Sequence, residues 1–114
     1  MPIDPGFATE LARELPPADF LRVLELFRID LARLTEEIEA AAAGGRHEEV
    51  RRAAHGMAGA AGAVGAATLE ATTRVVMRQP DAGMDLVAIA HNIRTLADDT
   101  LLNIDRVIAQ ARSA

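Results

Sequence analysis

The side chain best placed to do chemistry in this chain is one imidazole, His55, set in the run RRAAHGMAGAAGAVGAATLE from Arg51 to Glu70. An imidazole nitrogen is a competent nucleophile near neutral pH, because a substantial fraction of the ring is unprotonated there. Arg51 and Arg52 precede it by about one helical turn, and guanidinium groups bind phosphoryl oxygens through charge-assisted hydrogen bonds. Gly56, Gly59, Gly62 and Gly65 follow at intervals of three, although each glycine inside a helix costs roughly 1 kcal/mol relative to alanine. Two uses would offset that cost: close approach of neighbouring helices, or clearance around His55 for a bulky visitor. On a helix turning ~100° per residue, Glu48, Arg51, Arg52, Ala58, Gly59 and Gly62 share the face of His55, which is expected to look outward. A nucleophilic nitrogen with cations one turn away and a cleared face suits a phosphoryl group handed in and out by other proteins.

The remaining side chains exclude most other chemistry. There is no cysteine, so no disulfide framework, thiolate metal site or cysteine nucleophile is available, and a reducing cytoplasm is the expected compartment. The glycines follow no strand and no G-K-[ST] closes them, so there is no recognisable ATP site. His47, His55 and His91 show no H-E-x-x-H spacing and no metal is expected. Ser113 is the only serine and sits at the chain end, which removes a serine triad. Net charge is −5, all 12 basic residues are arginine, and Phe7, Phe20 and Phe27 are the only aromatics. A nucleic-acid or anionic-membrane surface would therefore be built against the overall field, and neither partner is expected. The N-terminus lacks the pattern of a secretory signal, and Ala53 to Leu69 is too short and too weakly apolar for a membrane span.

These residues need a scaffold, and the apolar pattern is helical throughout. Phe20, Leu24, Phe27, Leu31, Leu34 and Ile38 alternate spacings of four and three, one stripe of a long helix. Pro16 and Pro17 open it and Gly44 and Gly45 are its stop candidates. A short helix is expected before it, around Pro5 to Leu15. Val50, Ala53, Met57, Ala60 and Val64 mark a second helix from about Arg46 to Gly62, with His55 nearly opposite the stripe. A third runs from Ala66 to Gln79, with Leu69, Val75 or Val76 and the Met77 region inward, and Pro80 ends it. The last, from Ala82 or Asp85 to Ala111, carries Leu86, Ala90, Ile93, Ala97, Thr100, Ile104 and Val107. At 114 residues one domain over 1–114 is expected: an all-α, antiparallel four-helix bundle with a short additional N-terminal helix.

The segment AAHGMAGAAGAVGAATLE resembles the histidine-containing phosphotransfer (HPt) domain of two-component phosphorelays. The resemblance rests on Ala54 and His55, Met57 two positions on, Gly59 four on, Gly65 and Ala66 ten and eleven on, and Leu69 at fourteen. The helix pattern is similar along nearly the whole chain. The resemblance implies that His55 accepts a phosphoryl group from an aspartyl phosphate on a response-regulator receiver domain and passes it to another receiver. It also implies a hybrid histidine kinase upstream, Mg2+ supplied by the receiver, and a carrier without its own ATP site; a cytoplasmic monomer is the expected state. One departure stands out: family members usually carry lysine three residues after the histidine, and here that residue is Ala58. With no lysine in the chain, Arg51 and Arg52 are the cations on the matching face, and Ala58, Gly59 and Gly62 complete the candidate contact surface. The competing reading is a docking module that binds receiver or kinase domains through the same face without phosphorylation. A dimerising kinase domain fits less well, because Gly56 stands where an acidic residue commonly follows the histidine.

Overall fold

The computed structural model describes residues 15–113. Four α-helices, α1 Pro17–Ala43, α2 His47–Ala63, α3 Ala67–Arg78 and α4 Leu86–Ser113, pack as a helical bundle, with a 3-10 turn over Asp81–Gly83 before α4. The described residues contain no strand. The short helix expected around Pro5 to Leu15 falls almost wholly outside the described residues.

Each boundary has a local cause. Pro17 stands in the first turn of α1, where its missing N–H has no helical partner to lose. At the other end Gly45 takes φ +67°, its N–H bonds Ala42 O at 3.1 Å, and Arg46 N–H bonds Ala41 O at 2.9 Å. That pairing, with glycine in the left-handed region, is the Schellman stop. It recurs after α2: Gly65 has φ +70°, with Gly65 N to Gly62 O at 3.2 Å and Ala66 N to Ala61 O at 2.8 Å. The fourth glycine of the run therefore lies beyond α2 as its stop. Gln79 is extended before Pro80, as the residue preceding proline prefers. Asp85 caps α4, its Oδ1 accepting from Ala88 N at 3.1 Å, so α4 begins at Leu86 and residues 81–83 form their own turn.

The predicted stripes face the core with local corrections. Leu24, Leu31 and Ile38 of α1, Val50 and Met57 of α2, Leu69 of α3, and Ile93 and Ile104 of α4 are among the most buried side chains. In α3 the inward valine is Val76, while Val75 is exposed. In α4 Ile108 is buried and Val107 only packs against the core edge. Thr35, Thr73 and Thr100 are also buried, and each hydroxyl donates to the carbonyl four residues back, at 2.7, 2.9 and 2.8 Å. Their polar groups are thus satisfied inside their own helices.

Helix α1 packs on both α2 and α4, α2 packs on α3, and α3 meets α4 more sparsely than these. Three ion pairs tie α1 to α4: Glu39 with Arg94, Arg28 with Asp105 at 3.2 Å, and Glu25 with Arg112. As residue numbers fall along α1, their partners rise along α4. Exposed pairs contribute little stability individually, so their chief value here is to report relative direction. Helix α2 is the one that concerns function, held between α1 and α3 with its outer edge exposed.

Candidate functional site

Helix α2 lacks large side chains along much of its length, so both neighbours approach it closely. Gly56 faces α1: a Cβ built there would lie 3.2 Å from Leu34 Cδ2. Gly62 faces α3, where a Cβ would lie 2.9 Å from Glu70 Oε2. Gly56 therefore answers the packing demand raised by its cost, whereas at Gly62 the neighbour is the flexible end of Glu70, which can move aside. Gly59 answers none, because a Cβ there would meet nothing within 4 Å. Its missing side chain serves no contact among the described residues, and it lies one turn beyond His55.

His55 is exposed in the middle of α2, with the buried Met57 stripe behind it. The two preceding arginines part company. Arg51 turns toward α3: its Nε and Nη2 donate to Gln79 O at 3.1 and 2.8 Å, Nη2 also meets Asp81, and Nη1 donates to Glu48 Oε2 at 3.1 Å. Its side chain is only 19% exposed. The guanidinium holds the Asp81 carboxyl below the usual carboxylate range and has its own value raised, chiefly through their shared hydrogen bond. Arg51 thus fastens the α3–α4 connection to the histidine helix. Arg52, one residue on, is exposed, lines a groove of about 270 Å³ with Glu37 and Ala40 of α1 and Arg46 and Glu49 at the start of α2, and makes no ion pair among the described residues. Adjacent residues on a helix diverge by ~100°, which is why one arginine is engaged and the other available.

Ala58 corrects the expected face. It is 2% exposed, because around the helix it lies between the buried Ala54 and the half-buried Arg51. Its methyl group forms no part of the outward surface. Gly59 and Gly62 are both exposed, but the space over Gly62 is taken by Glu70, whose carboxylate accepts from Arg74 Nε at 3.1 Å and Nη2 at 2.7 Å. Glu70 and its partner were not singled out in the sequence, although their spacing of four is a helix-pair signal. His91 is exposed on α4, and His47 lies at the start of α2, close enough for its charge to favour the Asp81 carboxylate. Among the described residues no three metal-ligating side chains cluster, and no helix is long and apolar enough to cross a membrane.

The site is therefore an exposed imidazole on a rigid helix, with an available guanidinium on the α1 flank and a bare backbone strip beyond it. It can offer a nitrogen nucleophile and bind an anion, and it presents little steric obstacle to a second protein. No curated protein and no solved structure matches the chain. A family model described as Hpt domain matches residues 22–112, which takes in α2 whole and all but the first residues of α1. The chain accordingly belongs to the Hpt domain family, whose role is histidine phosphotransfer in two-component signalling.

Proposed function

We propose that His55 is the phosphoacceptor of a phosphorelay carrier, formed by residues 1–114 as one domain with an antiparallel four-helix bundle. The reverse order of the α1–α4 ion pairs supports that arrangement. The observation that carries the functional reading is the pairing of exposed His55 with Gly59, whose open space no packing among the described residues requires. A receiver's phosphoaspartate enters over that strip. The lone pair of the unprotonated imidazole nitrogen forms the N–P bond while the acyl P–O bond breaks, its electrons passing to the aspartate carboxylate. The proton on the other ring nitrogen stays in place. The Mg2+ ion and acidic pocket belong to the receiver, so the carrier's part is positional. Arg52 takes phosphoryl oxygens, while Arg51 keeps the α3–α4 connection in place. Partners are response-regulator receiver domains and a hybrid histidine kinase, met by a monomer in the cytoplasm.

The test is transfer of labelled phosphate from a panel of phosphorylated receiver domains, with His55→Gln as control. Acid-labile, base-stable label on the wild type and none on the variant is the expected result. If no receiver transfers, but some bind wild type and variant equally, the protein is a docking module and the carrier reading fails.

A further inference from the structure

Seven residues of helix turn through ~700°, within about 20° of two full turns, so Gly62 lies on the same outward line of α2 as His55, about 10 Å further along it. Both residues are exposed. The line is not bare at Gly62, however, because α3 lays a carboxylate over it: Glu70 Oε2 and Oε1 stand 2.9 and 3.3 Å from where a Gly62 Cβ would be. Arg74 engages that carboxylate through one oxygen, its Nε and Nη2 both donating to Oε2, at 3.1 and 2.7 Å. Oε1 accepts no hydrogen bond among the described residues. It is nonetheless open to solvent, since among those residues the unpartnered buried side-chain oxygen belongs to Gln79. A protein interface of ordinary size covers about 800 Å² on each partner, a disc of roughly 16 Å radius. Centred on His55, such a footprint takes in Gly62 and the carboxylate above it.

Resting on His55 as the phosphoacceptor that receivers approach, we propose that Glu70 is a specificity-determining residue of the docking surface, its carboxylate pairing over Gly62 with a lysine or arginine of the receiver. The partner group must stand about 10 Å from the receiver's phosphoaspartate, the distance that two turns of α2 impose. Arg52, three residues before His55, is exposed and makes no ion pair among the described residues. The surface thus carries a cation before the histidine and a carboxylate beyond it. A receiver with the opposite order of charges docks in one orientation, and one with an acidic side chain over Gly62 is refused by like-charge contact. Glycine at position 62 leaves the room in which the carboxylate sits.

Transfer from phosphorylated receivers at varied receiver concentration tests this in wild type, in Glu70→Gln, and in the reversed pair Glu70→Arg with Arg74→Glu. Glutamine keeps the shape and removes the charge, so KM for a receiver that serves the wild type should rise about tenfold, the equivalent of one charge-assisted hydrogen bond. The value of kcat should hold, because Glu70 acts two turns from the reacting nitrogen. High salt should shrink the difference, as it screens exposed charges. The reversed pair keeps two opposite charges four residues apart on α3 but sets the cation over Gly62, so KM should stay at least as high as in Glu70→Gln. A pair serving only α3 would instead recover both melting temperature and KM on reversal. Wild-type KM in Glu70→Gln, KM restored by the reversed pair, or a loss confined to kcat overturns the proposal and leaves the carrier reading standing. Receivers that bind without transferring, and bind Glu70→Gln about tenfold more weakly, remove the carrier reading and keep Glu70 on the docking surface. Absence of binding by every receiver removes both.

Discussion

Gly59 lets stability and function be pulled in opposite directions at one position. It sits in the interior of α2, and a Cβ added there meets nothing within 4 Å. Gly59→Ala therefore gains the usual helix preference of alanine, about 0.5–1 kcal/mol, with no packing penalty. For a chain of 114 residues each kcal/mol moves the melting temperature by roughly 4 °C, so a rise of about 2–4 °C is expected in a calorimetric or circular-dichroism melt. Gly56→Ala should gain less, because Leu34 Cδ2 stands at 3.2 Å, and Gly62→Ala must first displace the Glu70 carboxylate at 2.9 Å. Gly59→Leu is then the functional probe. It is expected to fold, since its Cβ meets nothing within 4 Å, but it places an isobutyl group one turn from His55, on the proposed docking path. Misplacing the reacting groups by ~1 Å costs on the order of 100-fold in rate, so transfer from a phosphorylated receiver should fall by about that factor while the melt stays at or above wild type. Wild-type transfer by Gly59→Leu would show that partners land elsewhere. A lower melting temperature in Gly59→Ala would show that the space over Gly59 is not open.

Acid should loosen two ties. The Arg94 guanidinium holds the Glu39 carboxyl below its usual range and Arg51 does the same for Asp81, in both cases chiefly by hydrogen bonding. A carboxyl with a depressed folded-state value contributes stability that is present above its unfolded value, about 4, and is lost as pH falls through the lower folded value. Melting temperature measured from pH 6 down to 2 should accordingly fall, and fall less in Asp81→Asn or Arg94→Ala, whose neutral-pH melts are already lower. Met57 has no exposed surface, and Met57→Ala should cost about 2–5 kcal/mol in denaturant unfolding, as large-to-small core changes do. Gly65→Ala, at φ +70°, should cost about 1–2 kcal/mol by the same measurement, because the left-handed region crowds a Cβ.

The contrast between Gly59 and Gly65 shows how identical residues in one run acquire different work. Gly65 ends a helix, Gly56 and Gly62 stand beside the side chains of Leu34 and Glu70, and among the described residues a Cβ at Gly59 would meet no neighbour. Close packing and open space are both present, divided by position. That division also concentrates the functional question on the His55–Gly59 edge.

Much of this was legible in the residues themselves. Apolar spacings of four and three repeat the helical period, so the existence of four helices, their approximate limits and the outward aspect of His55 follow from each helix considered alone. The stops at Gly45 and Gly65 are local too, set by hydrogen bonds within six residues. What one helix cannot reveal is which of its flanks a neighbour will cover. Arg51 and Ala58 share a wheel sector with His55, yet α3 and its connection to α4 lie on that side, so Ala58 is interior and Arg51 is tied to Gln79 and Asp81. Val76 over Val75 and Ile108 over Val107 were decided the same way, by where the next helix lay rather than by hydrophobicity. Periodicity assigns each side chain an angle about its own axis, and only the packing of the helices assigns that angle a neighbour.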